Sequence, residues 1–194
     1  VIVVGLTGSI GMGKSTAAAM IRRLGIPVFD ADLAVHRLMA KGGRAVAPIA
    51  ARFADVEIGG AIDRKALGRA VFGQKSELKA LEAILHPMVR EAERRFIAAA
   101  ARRRQRLVVL DIPLLFEADR DQECDVTIVV TAPAFLQRQR VLRRSGMTGD
   151  RLTQILALQM PDAEKRRRAD FIIPTGLGKV PALRALKRIL RCLR

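Results

Sequence analysis

Short, nearly unbroken apolar runs alternate along the chain with stretches whose apolar residues return every three or four positions. Val1 to Leu6, Ile26 to Phe29, Leu107 to Leu110, Val126 to Val130 and Phe171 to Ile173 are the short runs, and all are rich in β-branched residues. That pattern predicts strands buried on both faces. Between the first two runs, Ala17, Met20, Ile21 and Leu24 keep helical spacing until Gly25 ends the pattern. A strand, a loop, a helix and a second strand follow. The whole reads as an α/β chain: a parallel five-stranded sheet with helices on both sides, in a single domain over 1–194.

Two intervals are too long for simple crossovers. The first, 30–106, predicts a helical insertion. Leu78, Leu81 and Leu85 mark one helix face, His86-Pro87 interrupts it, and Val89, Ala92, Phe96 and Ala100 mark the next helix. Arg102, Arg103, Arg104 and Arg106 close that helix and suit its solvated C-terminus. The second interval, 134–169, is strongly basic. Arg138, Arg140, Arg143 and Arg144 precede a turn at Gly146 and Gly149, and one helix is expected through Leu152, Ile155, Leu156 and Gln159 toward Lys165 to Arg168. Arg140 and Arg144 stand one helical turn apart, so both guanidinium groups can aim at one phosphate cluster, and the interval reads as a cationic lid. At the end, Leu183, Leu186, Ile189, Leu190 and Leu193 define an amphipathic helix that docks on the sheet, with a membrane-surface helix as the other reading.

Composition narrows the function. Half of the 194 residues are hydrophobic, ample for a core, but no apolar run is long enough to span a bilayer, and no signal peptide is visible. The expected setting is the cytoplasm, with no membrane partner. Two cysteines, Cys124 and Cys192, make neither a disulfide framework nor a metal cluster. The net charge of +16 points to polyanionic partners. There is no Trp or Tyr and there are only seven Phe, so platforms for stacking single-stranded bases are scarce. No specific nucleic-acid partner is expected, and the chain is expected to be a monomer.

The chemistry begins where the first strand ends. Gly8, Ser9, Ile10, Gly11, Met12, Gly13, Lys14, Ser15 and Thr16 spell a glycine-rich loop opening a helix, with Gly8, Gly13, Lys14 and Ser15 filling the P-loop pattern GxxxxGK[ST]. Its glycines let backbone N–H groups approach a polyphosphate, Lys14 adds a point charge, Ser15 offers a hydroxyl to Mg²⁺, and the helix turns its positive end to the anion. ATP and Mg²⁺ are the expected cofactors. In parallel sheets such sites lie beyond the carboxyl ends of the strands, so the residues just after each run are the candidates. Asp32 follows the second run and is the candidate general base; Asp30 either caps a helix or orients the base or metal. Asp111 ends the third run in the position of a Walker B carboxylate that binds Mg²⁺. These features suit a phosphotransferase but name no acceptor, which leaves another nucleoside or nucleotide kinase, or a basic nucleic-acid-binding NTPase, as alternatives.

The segments GLTGSIGMGKST, IPVFDAD, IDRKALGRAVF, LEAILHPMV and DIPLLFE, in this order and at these intervals, resemble the dephospho-coenzyme A kinase family over nearly the whole chain. The resemblance implies a P-loop, nucleotide-kinase-like fold with a helical acceptor-binding insertion and a helical lid. It implies ATP-dependent phosphorylation of the ribose 3′-hydroxyl of dephospho-CoA, the last step of coenzyme A synthesis. Asp32 matches the family's proposed catalytic base, Lys14 its phosphate lysine and Arg140 its lid arginine reaching the phosphates. Residues 62–72 with His86-Pro87 match its acceptor domain. Family members often carry Asn near the turn after the last strand, where this chain reads Ile173, Pro174, Thr175, Gly176.

Overall fold

Each of the five apolar runs forms a strand of one sheet. In the computed structural model, which describes residues 1–193, the elements run β1 (Ile2–Thr7), α1 (Lys14–Arg23), β2 (Val28–Asp30), α2 (Ala31–Met39), α3 (Val46–Arg52), β3 (Glu57–Ile58), β4 (Ala61–Ile62), α4 (Arg64–Val71), α5 (Lys75–Arg102), β5 (Leu107–Asp111), β6 (Val126–Thr131), α6 (Ala134–Leu142), α7 (Gly149–Ala157), α8 (Asp162–Arg168), β7 (Phe171–Pro174) and α9 (Lys179–Cys192). The chain divides into two compact units, Val1–Phe29 with Ala100–Arg194, and Asp30–Ala99.

The first unit is built on the sheet β2-β5-β1-β6-β7. The pairs β1 with β5, β1 with β6, and β6 with β7 are parallel, and β1 lies at the centre. One sheet face presents Val4, Leu6, Val109, Ile128, Val130 and Ile173 to a core completed by Ala17, Ala18 and Ile21 of α1 and by Leu186, Ile189 and Leu190 of α9. The C-terminal helix therefore docks on the sheet, and its arginines and lysines stay in water. On the other face, Gly5 lets Leu115 and Cys124 come close to the central strand: a Cβ there would sit 2.8 Å from Leu115 Cδ2 and 2.9 Å from Cys124 Sγ. The turn that ends α1 is a Schellman motif. Ile26 N–H donates to the Ile21 carbonyl and Gly25 N–H to that of Arg22, with Gly25 at φ 78°.

The second unit gathers Met39, Val46, Ile49, Phe53, Ile62, Leu67 and Leu85 around its own core. It holds a two-stranded antiparallel hairpin, β3 with β4, turned by Gly59 and Gly60 at φ 61° and 81°. Two successive positive φ values are what a tight hairpin requires, so the Gly-Gly pair was the sequence signal for it. On its surface Glu91 pairs with Arg44 and Arg95. The hydrogen bond from Arg44 is the main reason that its carboxyl titrates below the usual range.

Two helix boundaries differ from the expectation. The break at His86-Pro87 is absent: α5 runs through Pro87 without interruption. Pro87 removes one helical N–H, but Leu85 and Val89 on either side are buried, and packing of that face outweighs the lost bond. Conversely, the single helix expected through Leu152 toward Arg168 is two, α7 and α8, separated by Leu158 to Pro161. Pro161, at φ −54° and ψ 140°, has no N–H to continue α7 and instead opens α8.

Replacing Gly5 by Ala forces a methyl against Leu115 and Cys124. Chemical denaturation should show a loss of about 1–3 kcal/mol, the usual cost of overpacking a tight core.

Candidate active site

The loop between β1 and α1 is held open by what surrounds it. A Cβ on Gly8 would lie 2.7 Å from the Val130 carbonyl oxygen, and one on Gly11 would lie 2.6 Å from Val141 Cγ2 of α6. Gly11 and Gly13 have φ of 77° and 97°, where a side chain would be strained. The glycines thus serve close packing as well as turning.

Three successive carbonyls of the loop have side-chain donors. Gln137 Nε2 donates to the Ile10 carbonyl at 2.9 Å, an Arg140 guanidinium N–H to that of Gly11 at 3.4 Å, and Thr175 Oγ1 to that of Met12 at 2.6 Å. In a trans peptide the C=O and the next N–H point opposite ways. Holding the Ile10 and Met12 carbonyls outward therefore turns the Gly11 and Gly13 N–H groups inward. Among the described residues the N–H groups of Gly11, Gly13, Lys14 and Ser15 have no protein acceptor. Helix α1 also starts bare, with Gly13 at its N-cap, no side-chain cap and no acidic residue in its first turn. The arrangement is a nest of N–H donors at a positive helix end, built for an anion.

At the mouth of the loop, Lys14 Nζ meets Asp111 Oδ1 at 2.5 Å, with 16% and 5% of the side chains exposed. The parallel register sets Asp111 beside Leu6 of β1, which brings the third-strand carboxylate to the P-loop lysine. Ser15 is exposed in the first turn of α1. Its hydroxyl and the Asp111 carboxylate are hard oxygen donors suited to Mg²⁺. No cluster of three or more His, Cys, Asp or Glu able to hold a metal occurs among the described residues.

The two basic residues of the expected lid part company. Helix α6 ends at Leu142 with Arg143 as its C-cap, so Arg144 lies beyond the helix and is exposed. Arg140 is half-buried and also donates to the Thr175 carbonyl at 2.8 Å and to Thr175 Oγ1 at 3.1 Å. In the second unit, Asp30 caps α2, its Oδ1 accepting the Leu33 N–H at 2.9 Å, and Asp32 stands exposed in the first turn of that helix.

Three residues that shape the loop carry no motif: Gln137, Gln159 and Thr175. Gln159 Oε1 accepts the Ile10 N–H at 3.1 Å. Gln137 and Thr175 are buried polar groups. Two of them had a faint signal in the sequence. Thr175 follows the last strand at its carboxyl end, and Gln137 sits one turn before Val141 on the apolar side of α6.

Polyphosphate loops at the carboxyl edge of a parallel sheet mark the P-loop kinases, and this chain has their fold. A shikimate kinase from Acinetobacter baumannii superimposes with a TM-score of 0.54 at 17% identity, covering 100% of this chain and 93% of the other. TT1252 from Thermus thermophilus superimposes with a TM-score of 0.85 at 38% identity, covering 100% of this chain and 98% of that one. The family model described as "CoaE: Dephospho-CoA kinase" matches residues 2–177. The dephospho-CoA kinase of Paramagnetospirillum magneticum is 62% identical over 192 residues, 99% of this chain and 91% of its own length. That of Rhodospirillum rubrum is 54% identical over 186 residues, 95% and 88% of the two chains. The chain belongs to the dephospho-CoA kinase family.

Changing Thr175 to Val keeps the shape and deletes the hydroxyl that serves Met12, Thr131 and Arg140. Denaturation should report a loss of about 1–3 kcal/mol, the cost of leaving buried polar groups unpaired.

Proposed function

We propose that this protein transfers the γ-phosphoryl group of ATP to the ribose 3′-hydroxyl of dephospho-CoA, giving CoA and ADP, the last step of coenzyme A synthesis. The observation that carries this reading is a family match running unbroken over residues 2–177, across both units and through the complete P-loop.

In the reaction, the inward N–H groups of the loop and the Lys14 ammonium bind the β- and γ-phosphates and spread the charge that grows on them. Asp32 accepts the proton of the acceptor hydroxyl as its oxygen attacks the γ-phosphorus in line. The bond to the β-phosphate oxygen breaks, and ADP leaves with that electron pair. Ser15 and Asp111 would hold Mg²⁺, which would neutralise phosphate charge. With phosphate in the loop, Lys14 exchanges Asp111 for the anion, and the pair at the mouth of the loop keeps the lysine within reach. Arg140 and Arg144, in the lid 134–169, supply cations over the transferring group, and the insertion 30–106 holds the acceptor, with residues 62–72 and His86-Pro87 as its binding surface. The enzyme acts as a cytoplasmic monomer, and its charge of +16 serves anionic substrates rather than a specific nucleic acid or membrane. No helix among the described residues is long and apolar enough to cross a membrane.

Purified protein given ATP, Mg²⁺ and dephospho-CoA should form CoA, while nucleosides and nucleotides offered as acceptors should be phosphorylated poorly; no turnover of dephospho-CoA would overturn the reading. Asp32→Asn should lower kcat by about 10²–10⁴-fold, the range for loss of a general base, with ATP binding kept. Normal turnover by that variant would remove Asp32 from the role.

A further inference from the structure

The segment between α7 and α8 is tied to the rest of its unit by polar groups that the proposed chemistry does not use. Met160 N–H donates to Glu117 Oε1 at 2.8 Å. The same oxygen lies 2.8 Å from Lys165 Nζ, and Lys165 is fully buried. Glu117 Oε2 has no hydrogen-bond partner, and the lysine ammonium meets Oε1 as an ion pair without a directed hydrogen bond. Glu117 sits in the stretch that follows β5, the strand that ends at Asp111. On the other side, Asp162 Oδ2 accepts from Thr131 Oγ1 at 2.7 Å, which fastens the start of α8 to the end of β6. Farther along α8, Arg168 lies over the Phe116 ring, 4.9 Å from its centroid, and pairs with Asp121 at 2.9 Å.

A buried lysine and carboxylate give little net stability, because desolvation of both charges offsets their attraction. What such a pair fixes is position. Here it fixes the backbone of Met160, and the preceding residue is the one that reaches the P-loop. Gln159 Oε1 takes the Ile10 N–H at 3.1 Å while Gln137 takes the Ile10 carbonyl at 2.9 Å. Both polar groups of this loop residue are thus consumed outside the phosphate nest. Gln137 holds the peptide that carries the Gly11 N–H, and Gln159 holds the peptide just before it, so Ile10 is pinned on both sides and the Gly11 N–H stays turned into the nest.

We propose that Gln159 is a positioning residue for the polyphosphate, acting through Ile10, and that the buried Glu117–Lys165 pair holds Gln159 at its station through Met160. The segment between α7 and α8 then sets the affinity of the loop for phosphate. The inference rests on the nucleotide occupying this loop, as proposed above.

Gln159→Met keeps the length of the side chain and deletes the acceptor. It should weaken ADP binding by about 3–10-fold, the range for one lost hydrogen bond, and raise KM for ATP by a similar factor. Adenosine binding, KM for dephospho-CoA and kcat should stay within about twofold, since the bond acts on ground state and transition state alike. A merely structural role would move both substrates together. Lys165→Met should weaken ADP binding and lower the unfolding midpoint, because it leaves a carboxylate buried alone. The double variant Glu117→Gln with Lys165→Met, whose amide oxygen still accepts from Met160, should restore both. Unchanged ADP affinity in Gln159→Met, or equal losses for ADP and adenosine, would overturn the role of Gln159. A folded double variant that still binds ADP weakly would overturn the role of the pair. A wild-type protein that binds no ADP would instead overturn the nucleotide reading on which both stand.

Discussion

The structure depends on keeping a few peptide dipoles turned one way. A loop that binds polyphosphate must present N–H groups to the anion, and its carbonyls must then face the protein, where each needs a donor. Gln137, Arg140 and Thr175 provide those donors to Ile10, Gly11 and Met12, and Gln159 takes the Ile10 N–H. These four side chains come from α6, from the segment between α7 and α8 and from the turn after β7, so the loop organises much of the unit around itself.

That requirement explains features that would otherwise look like defects. Helix α1 begins without a side-chain cap, and four of the N–H groups that open it and the loop have no acceptor among the described residues. Caps exist to satisfy such donors. Leaving them free preserves an anion site at the cost of helix stability. Packing of Ala17, Ala18 and Ile21 against the sheet and α9 offsets that cost. In the same way Gly5 gives up a side chain in the central strand so that Leu115 and Cys124 close over it. Leu115 belongs to the stretch that leads from Asp111 to Glu117, so close packing there helps to set the position of both carboxylates.

Charge is handled at two depths. At the surface, most arginines are solvated and contribute to the attraction of anions over a distance. Inside, the cations are few and each has a defined neighbour: Lys14 beside Asp111, Lys165 beside Glu117. The first pair lies where a phosphate is expected to compete for the lysine. The second has its lysine fully enclosed, and its carboxylate accepts the Met160 N–H.

The amino-acid sequence by itself determined the sheet, its parallel character, the phosphate loop and the family. Apolar runs of β-branched residues, a complete GxxxxGK[ST] and a series of ordered motifs depend only on local spacing and composition, and these are read without a fold. Tertiary packing decided what local rules left undetermined. Pro87 should end a helix, yet burial on both sides carries α5 through it, while Pro161, with no such support from α7, separates α7 from α8. Arg140 and Arg144 look like partners in the sequence and are separated by a helix end. Gln137, Gln159 and Thr175 have no motif, because the bonds they make join residues more than a hundred positions apart. Hydrophobic periodicity reports which face of an element is buried. It carries no record of which distant carbonyl a buried amide will meet, and only the folded chain supplies that partner.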